Sequence, residues 1–163
     1  MSGVVTVARV GQGSLVALLA RYGLELVVQA PGEPISGSFW GDPEAGVIGT
    51  TVYVRPDTPI HSLLHEAGHV ICMDGERRAR LERDAGGDAL EESAVCYLQV
   101  LLADALAAVG RGRLMADMDA WGYSFRLGST RAWFEQDADD AREFLVEHGL
   151  IDESARPTWR LRP

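Results

Sequence analysis

The stretch Ser62-Leu63-Leu64-His65-Glu66-Ala67-Gly68-His69-Val70-Ile71 decides how the rest of this 163-residue chain is read. Two histidines four apart on a helix project from one face, one turn above the other, so both imidazoles can reach one metal ion. The glutamate beside the first is placed to handle a proton. With His65 at zero on a helical wheel, His69 lies at roughly +40°, His61 at roughly −40°, Cys72 at roughly −20° and Glu66 at roughly +100°. Ile60, Leu63, Leu64, Ala67, Val70 and Ile71 gather on the opposite side. The helix therefore has an apolar face for a core and a separate stripe of histidines, which a core histidine does not explain. Gly68 costs helix stability and fits a close approach by another element. His61 and Cys72 share the stripe without an assigned role.

Outward from this segment, Thr58 caps the helix and Pro59 takes its first position, where a missing N–H costs nothing; the helix runs to about Met73. Before it, residues 14–22 read as a helix with Ser14 as N-cap and Gly23 as stop. Residues 24–28 read as a strand and 37–55 as a β-meander ending in Thr51-Val52-Tyr53-Val54. After it come a polar loop (74–87), a long helix from Asp88 to about Val109, and an irregular stretch to 128 with a short helix at 115–120. A strongly acidic helix (130–148) closes at Gly149, and residues 152–163 form a loose tail. Residues 1–163 are expected to make a single α+β domain. Its small, twisted, mainly antiparallel sheet packs on the histidine helix, with a second, glutamate-bearing helix alongside and a helical C-terminal part.

Composition narrows the partners. A 47% hydrophobic, 24% charged chain is globular. A net charge of −9 argues against nucleic acid or an anionic membrane as partner. No run approaches the roughly 18 apolar residues of a membrane span, and Met1–Thr6 lacks the basic start of an export signal. With Cys72 and Cys96 both inside helices, a reduced, cytoplasmic setting is expected. Oligomeric state is not legible. Gly11-Gln12-Gly13 has Val16 where a dinucleotide loop has its third glycine, and no βαβ unit follows. The acidic run at 135–140 reads as a solvated face. The aromatic loop at 121–125 either closes a cleft or forms a satellite core.

Zinc bound by two histidines needs a third protein ligand. An H-E-x-x-H-x-x-G-x-x-H pattern would place glycine at 72 and histidine at 75; the chain has Cys72 and Gly75. A glutamate from the following helix is the alternative. With Leu98 at zero, Ala94, Val95, Leu98, Leu101, Leu102, Ala105 and Val109 form an apolar stripe. Glu91 falls inside it at roughly +20°, and Glu92 off its edge at roughly +120°. A carboxylate centred on a buried face must be paired or bind a metal, which selects Glu91 and leaves Glu92 as fallback. A capping box with Asp88 competes for the Glu91 side chain.

The pair of motifs, "HEAGH" and then "EESAVCYLQVLL", resembles the gluzincin branch of the zincin metallopeptidases, in particular the compact ImmA/IrrE-like proteins. Their second motif reads approximately E-x-x-A-[N/D]-x-F-A-x-x-L-L, and Glu91, Ala94, Tyr97 and Leu101-Leu102 occupy matching positions. The resemblance covers roughly residues 14–110. It implies a zinc ion on His65, His69 and Glu91, Glu66 as catalytic base, and hydrolysis of a peptide or protein substrate. Thr51–Val54 is the expected edge strand for an extended peptide. Val95 stands where the family has Asn or Asp to support a ligand histidine. That departure feeds an alternative: a zinc-bound regulatory or binding domain with little proteolysis.

Overall fold

The computed structural model describes residues 3–163; Met1 and Ser2, the start of the stretch examined for an export signal, lie outside the described residues. It is an α+β domain. Two short helices, α1 (Val7–Val10) and α2 (Gln12–Ala20), precede a three-stranded sheet of β1 (Glu25–Val28), β2 (Gly46–Ile48) and β3 (Thr51–Val54). Then come α3 (Ile60–Cys72), α4 (Gly75–Ala79), α5 (Ala89–Leu102), α6 (Gly110–Trp121), α7 (Thr130–Gln136) and α8 (Asp139–Glu147).

β3 is the central strand. It runs parallel to β1, from Glu25↔Thr51 to Val28↔Val54, and antiparallel to β2, so the sheet is mixed rather than mainly antiparallel. The expected edge at Thr51–Val54 is therefore paired on both sides. Residues 37–40 form no strand: Gly37 lies against β2, where the Val47 N–H donates to its carbonyl at 3.3 Å. Val52 and Val54 point into the core and are fully buried, as the alternation of a half-buried strand requires.

Every residue of α3 is buried, because the helix packs between the sheet and α5. A Cβ on Gly68 would sit 3.0 Å from Val95 Cγ1 and 3.5 Å from the Val95 carbonyl oxygen. Glycine lets the Val95 side chain lie this close, and a Cβ here would require that side chain to give. Val95, which the resemblance expected to be polar, is the other half of that contact. Thr58 does not cap α3: its hydroxyl accepts the Arg55 N–H at 2.9 Å and closes the turn out of β3, leaving Pro59 in the cap position.

Four expectations downstream are corrected. The polar loop contains α4, whose cap Asp74 accepts the Arg77 N–H at 2.9 Å. The long helix stops at Leu102, passes through a 3₁₀ turn, and restarts as α6, where the Asp104 carboxylate accepts the Arg111 N–H at 2.9 Å. The acidic helix divides at Asp137, whose carboxylate pairs with Arg126 while Ala138 turns into the core. The tail is not loose. Trp159 lies with the Arg21 guanidinium 3.4 Å from its ring centre, and the Arg162 N–H donates to the Ile71 carbonyl at 3.0 Å. No helix among the described residues is long and apolar enough to cross a membrane.

The Gly68–Val95 approach makes a direct prediction. Gly68→Ile overpacks the helix pair and destabilises by about 1–3 kcal/mol in urea denaturation. Repeated in a Val95→Ala background, the same substitution costs less. Equal costs in both backgrounds would show that this contact does not limit the helix spacing.

Candidate active site

His65, Glu66 and His69 line one wall of a cleft, and the first turn of α5 lines the other. The Glu92 carboxylate spans the two imidazoles, with Oε1 2.9 Å from His65 Nε2 and Oε2 3.1 Å from His69 Nε2. Donor atoms of His65, Glu66 and His69 lie within 4.8 Å of one another, as do those of His65, Glu92 and Cys96. Two imidazole nitrogens facing one carboxylate form a donor set that a zinc ion accepts.

Glu91 is not brought to the histidines. Its carboxylate receives both terminal nitrogens of Arg77, at 2.7 and 2.9 Å, with Arg162 at 3.5 Å. A buried carboxylate must indeed be paired, and the partner is an arginine from the helix hidden in the expected loop. Half of the capping box also forms, since Asp88 accepts the Glu91 N–H at 2.9 Å. The geometry favours Glu92 for a simple reason. The histidine stripe lies off the apolar face of α3, so the residue of α5 that meets it must also lie off the apolar stripe.

Gln99 is the site residue that sequence reasoning missed. It is fully buried; its Nε2 donates to the His61 carbonyl at 2.7 Å, and its Oε1 lies 3.0 Å from His65 Nδ1. The carbonyl can only accept, so the amide oxygen faces His65 and Nδ1 carries the proton. A signal was present: Glu92, Cys96 and Gln99 recur at i, i+4 and i+7 along one face of α5.

Burial and partners set the charges. For His65, burial disfavours the cation, but the neighbouring Cys96 and the Glu92 carboxylate prevail and raise its pKa well above the ordinary value. Burial alone would raise the Glu92 carboxyl, yet its hydrogen bonds from His65 and His69 hold it well below the carboxylate range. Glu66 is raised by burial, against the opposing pull of the two histidines. His61 is lowered by burial to about 4 and so stays neutral; its Nδ1 lies 3.2 Å from the Tyr123 hydroxyl. Burial pushes Tyr123 up to about 12.

The cleft has two lobes that meet at Trp40, Glu66 and Glu92. The larger, of about 320 Å³, adds Glu44, Ser62, His65, Trp121, Gly122 and Tyr123. The smaller, of about 110 Å³, adds Phe39, His69 and Arg83 among its walls. The aromatic loop thus splits its duties: Trp121 and Tyr123 face the cleft, while Phe125 stacks on Trp133 with centroids 4.5 Å apart. Compared with protein-family models, with curated proteins and with solved structures, the chain matches none.

The Glu92–His65 pair carries a pH signature in chelator-treated protein. The contribution of a depressed carboxylate is present above its ordinary value of 4.5 and is lost as pH falls through the folded value. The contribution of a raised histidine is present below 6.5 and is lost as pH rises through the folded value. Both act in full only between those two values. The melting-temperature gap between wild type and Glu92→Gln should be widest there and shrink on either side; a gap that ignores pH would contradict the pairing.

Proposed function

We propose that the chain is a zinc-dependent metallopeptidase that holds zinc through His65, His69 and Glu92 and uses Glu66 as general base. The observation that carries this reading is the Glu92 carboxylate set against the Nε2 atoms of both histidines, which flank a buried Glu66 on the same helix. Two imidazoles and one carboxylate are a catalytic zinc set that leaves one coordination position open. The chemistry supplied by a zinc ion bound there is Lewis acidity, which lowers the pKa of water toward about 7 and stabilises a developing oxyanion.

The rest is done by the chain. Gln99 fixes the ring orientation and tautomer of His65 so that Nε2 is the ligating atom. It takes the part that the ImmA/IrrE-like motif gives to the Asn or Asp replaced here by Val95. Glu66 lines both lobes of the cleft, and its burial-raised pKa suits a group that must accept a proton and return it. With β3 paired on both sides, a peptide or protein substrate is held by side-chain pockets of the cleft rather than by joining that strand. The resemblance to the gluzincins supports the assignment, with the ligand glutamate one position later than the motif match implied. Buried free thiols at Cys72 and Cys96 fit a reducing, cytoplasmic setting.

One observation favours a second reading. Cys96 lies with His65 and Glu92 in a group spanning 4.8 Å. A thiolate ligand there would complete four protein ligands, as in structural zinc sites, and give a regulatory domain that cleaves little.

Elemental analysis should find one zinc per chain, lost in His65→Ala and in His69→Ala. Glu92→Gln should weaken zinc in a competition assay by more than the roughly 10–100-fold that loss of a supporting partner costs. Glu91→Gln should chiefly lower stability. Equal effects on zinc, or the reverse order, would remove Glu92 from the site.

The base is tested separately. Glu66→Gln should keep zinc and folding while hydrolysis of a peptide library falls about 10²–10⁴-fold. Cleavage that survives the substitution defeats the mechanism, and a zinc-loaded wild type that cleaves nothing favours the regulatory domain.

A further inference from the structure

The larger lobe of the cleft is acidic and aromatic at once. Its carboxylates are Glu44, Glu66 and Glu92, and no arginine lines it; Arg83 belongs to the smaller lobe. Glu92 is engaged by the histidines and Glu66 lies beside them. Glu44 is different. One of its oxygens accepts the Trp121 indole N–H at 2.8 Å, and among the described residues no donor reaches the other. Trp121 is 42% exposed and Trp40, which lines both lobes, is 71% exposed. Trp121 leans on His61 and Trp40 on Phe39, with centroids 5.1 Å apart in each pair, so both indoles are supported from behind while their outer faces stay open to the lobe around a carboxylate with a free acceptor.

We propose that this lobe is a subsite for a basic side chain, arginine or lysine, of the peptide substrate, which rests on the peptidase reading above. Glu44 supplies the counter-charge, and Trp40 and Trp121 supply the walls. A guanidinium or ammonium over an indole face is attracted by the ring quadrupole, and its aliphatic stem covers the apolar surface. The hydrogen bond from Trp121 to Glu44 fixes the indole and the carboxylate relative to each other before any ligand arrives. An apolar side chain would gain the walls but strip water from an unpaired carboxylate, which is costly. An acidic side chain would meet three carboxylates. The net charge of −9 also draws cationic peptides toward the chain.

The test uses the full chain carrying Glu66→Gln, so that bound peptides persist. Hexaalanine peptides with a single arginine walked through each position are titrated by calorimetry. They are compared with the same peptides carrying citrulline, the neutral isostere of arginine. At one position, arginine should bind about tenfold tighter than citrulline. That gap should narrow with salt and vanish when Glu44→Gln is added. Glutamine keeps the acceptor that Trp121 uses, so the substitution removes only the charge. The arginine peptide should also shift the Trp121 indole N–H resonance. Equal affinities at every position, no binding by any peptide, or a gap that survives Glu44→Gln each overturns the subsite. Failure of the two readings is distinguishable. An arginine preference in a protein that takes up no zinc keeps the subsite and removes the peptidase; zinc-dependent cleavage without any charge preference does the opposite.

Discussion

The backbone approach of α3 to α5 at Gly68 and Val95 governs the histidine cluster, because the contacts of Glu92 and Gln99 with the histidines cross that helix pair. Val95 sits on Gly68 like a fulcrum. One turn before it, Glu92 reaches His65 and His69; one turn after it, Gln99 reaches His65 from the other side. A side chain at position 68 would press on the Val95 side chain, and any shift of α5 that relieved it would move Glu92 and Gln99 relative to the histidines. Valine at position 95, where the motif it resembles has a polar residue, then fits the packing. A fully buried valine makes the close packing possible, and the supporting hydrogen bond to His65 comes instead from the next turn, through an amide that the His61 carbonyl holds in orientation.

What could be read from the sequence was whatever depends on local periodicity. The stripe of histidines, the apolar back of α3, the strands β1 and β3 and the cap at Asp88 follow from spacing within a few residues. Most of what failed depends on partners far along the chain; the exception is Thr58, whose hydroxyl closes the turn onto Arg55 rather than capping α3. The wheel of α5 showed correctly that Glu91 is buried, and that a buried carboxylate needs a counter-charge. It held no information on whether the charge would be a metal or Arg77, since Arg77 lies in a segment whose glycines and charges disguise a five-residue helix. The parallel pairing of β1 with β3 was hidden for the same reason: an irregular crossing from 29 to 45 looks like the turns of a meander. Gln99 was legible in principle, as the i+7 partner of Glu92, but a single amide inside an apolar run draws no attention until something polar is known to face it.

Adjacent glutamates with opposite duties give α5 its fixed position. Glu92 faces the histidines, and Glu91 holds the helix to a scaffold of arginines that also closes the end of α3. Arg78 donates to the Val70 and Met73 carbonyls, and Arg162 donates to the carbonyls of Ile71 and Cys72. These are the last carbonyls of α3, which have no partners within their own helix, and cationic side chains there also oppose the helix dipole. Arg78 then grips the tail through the Arg162 carbonyl, while Arg162 approaches Glu91. The tail, α4, the end of α3 and the start of α5 are thus one hydrogen-bonded unit. Because α5 is anchored through Glu91 on one side, Glu92 on the next residue is presented to the cleft without having to secure the helix itself, and its carboxylate is left to serve the two histidines alone.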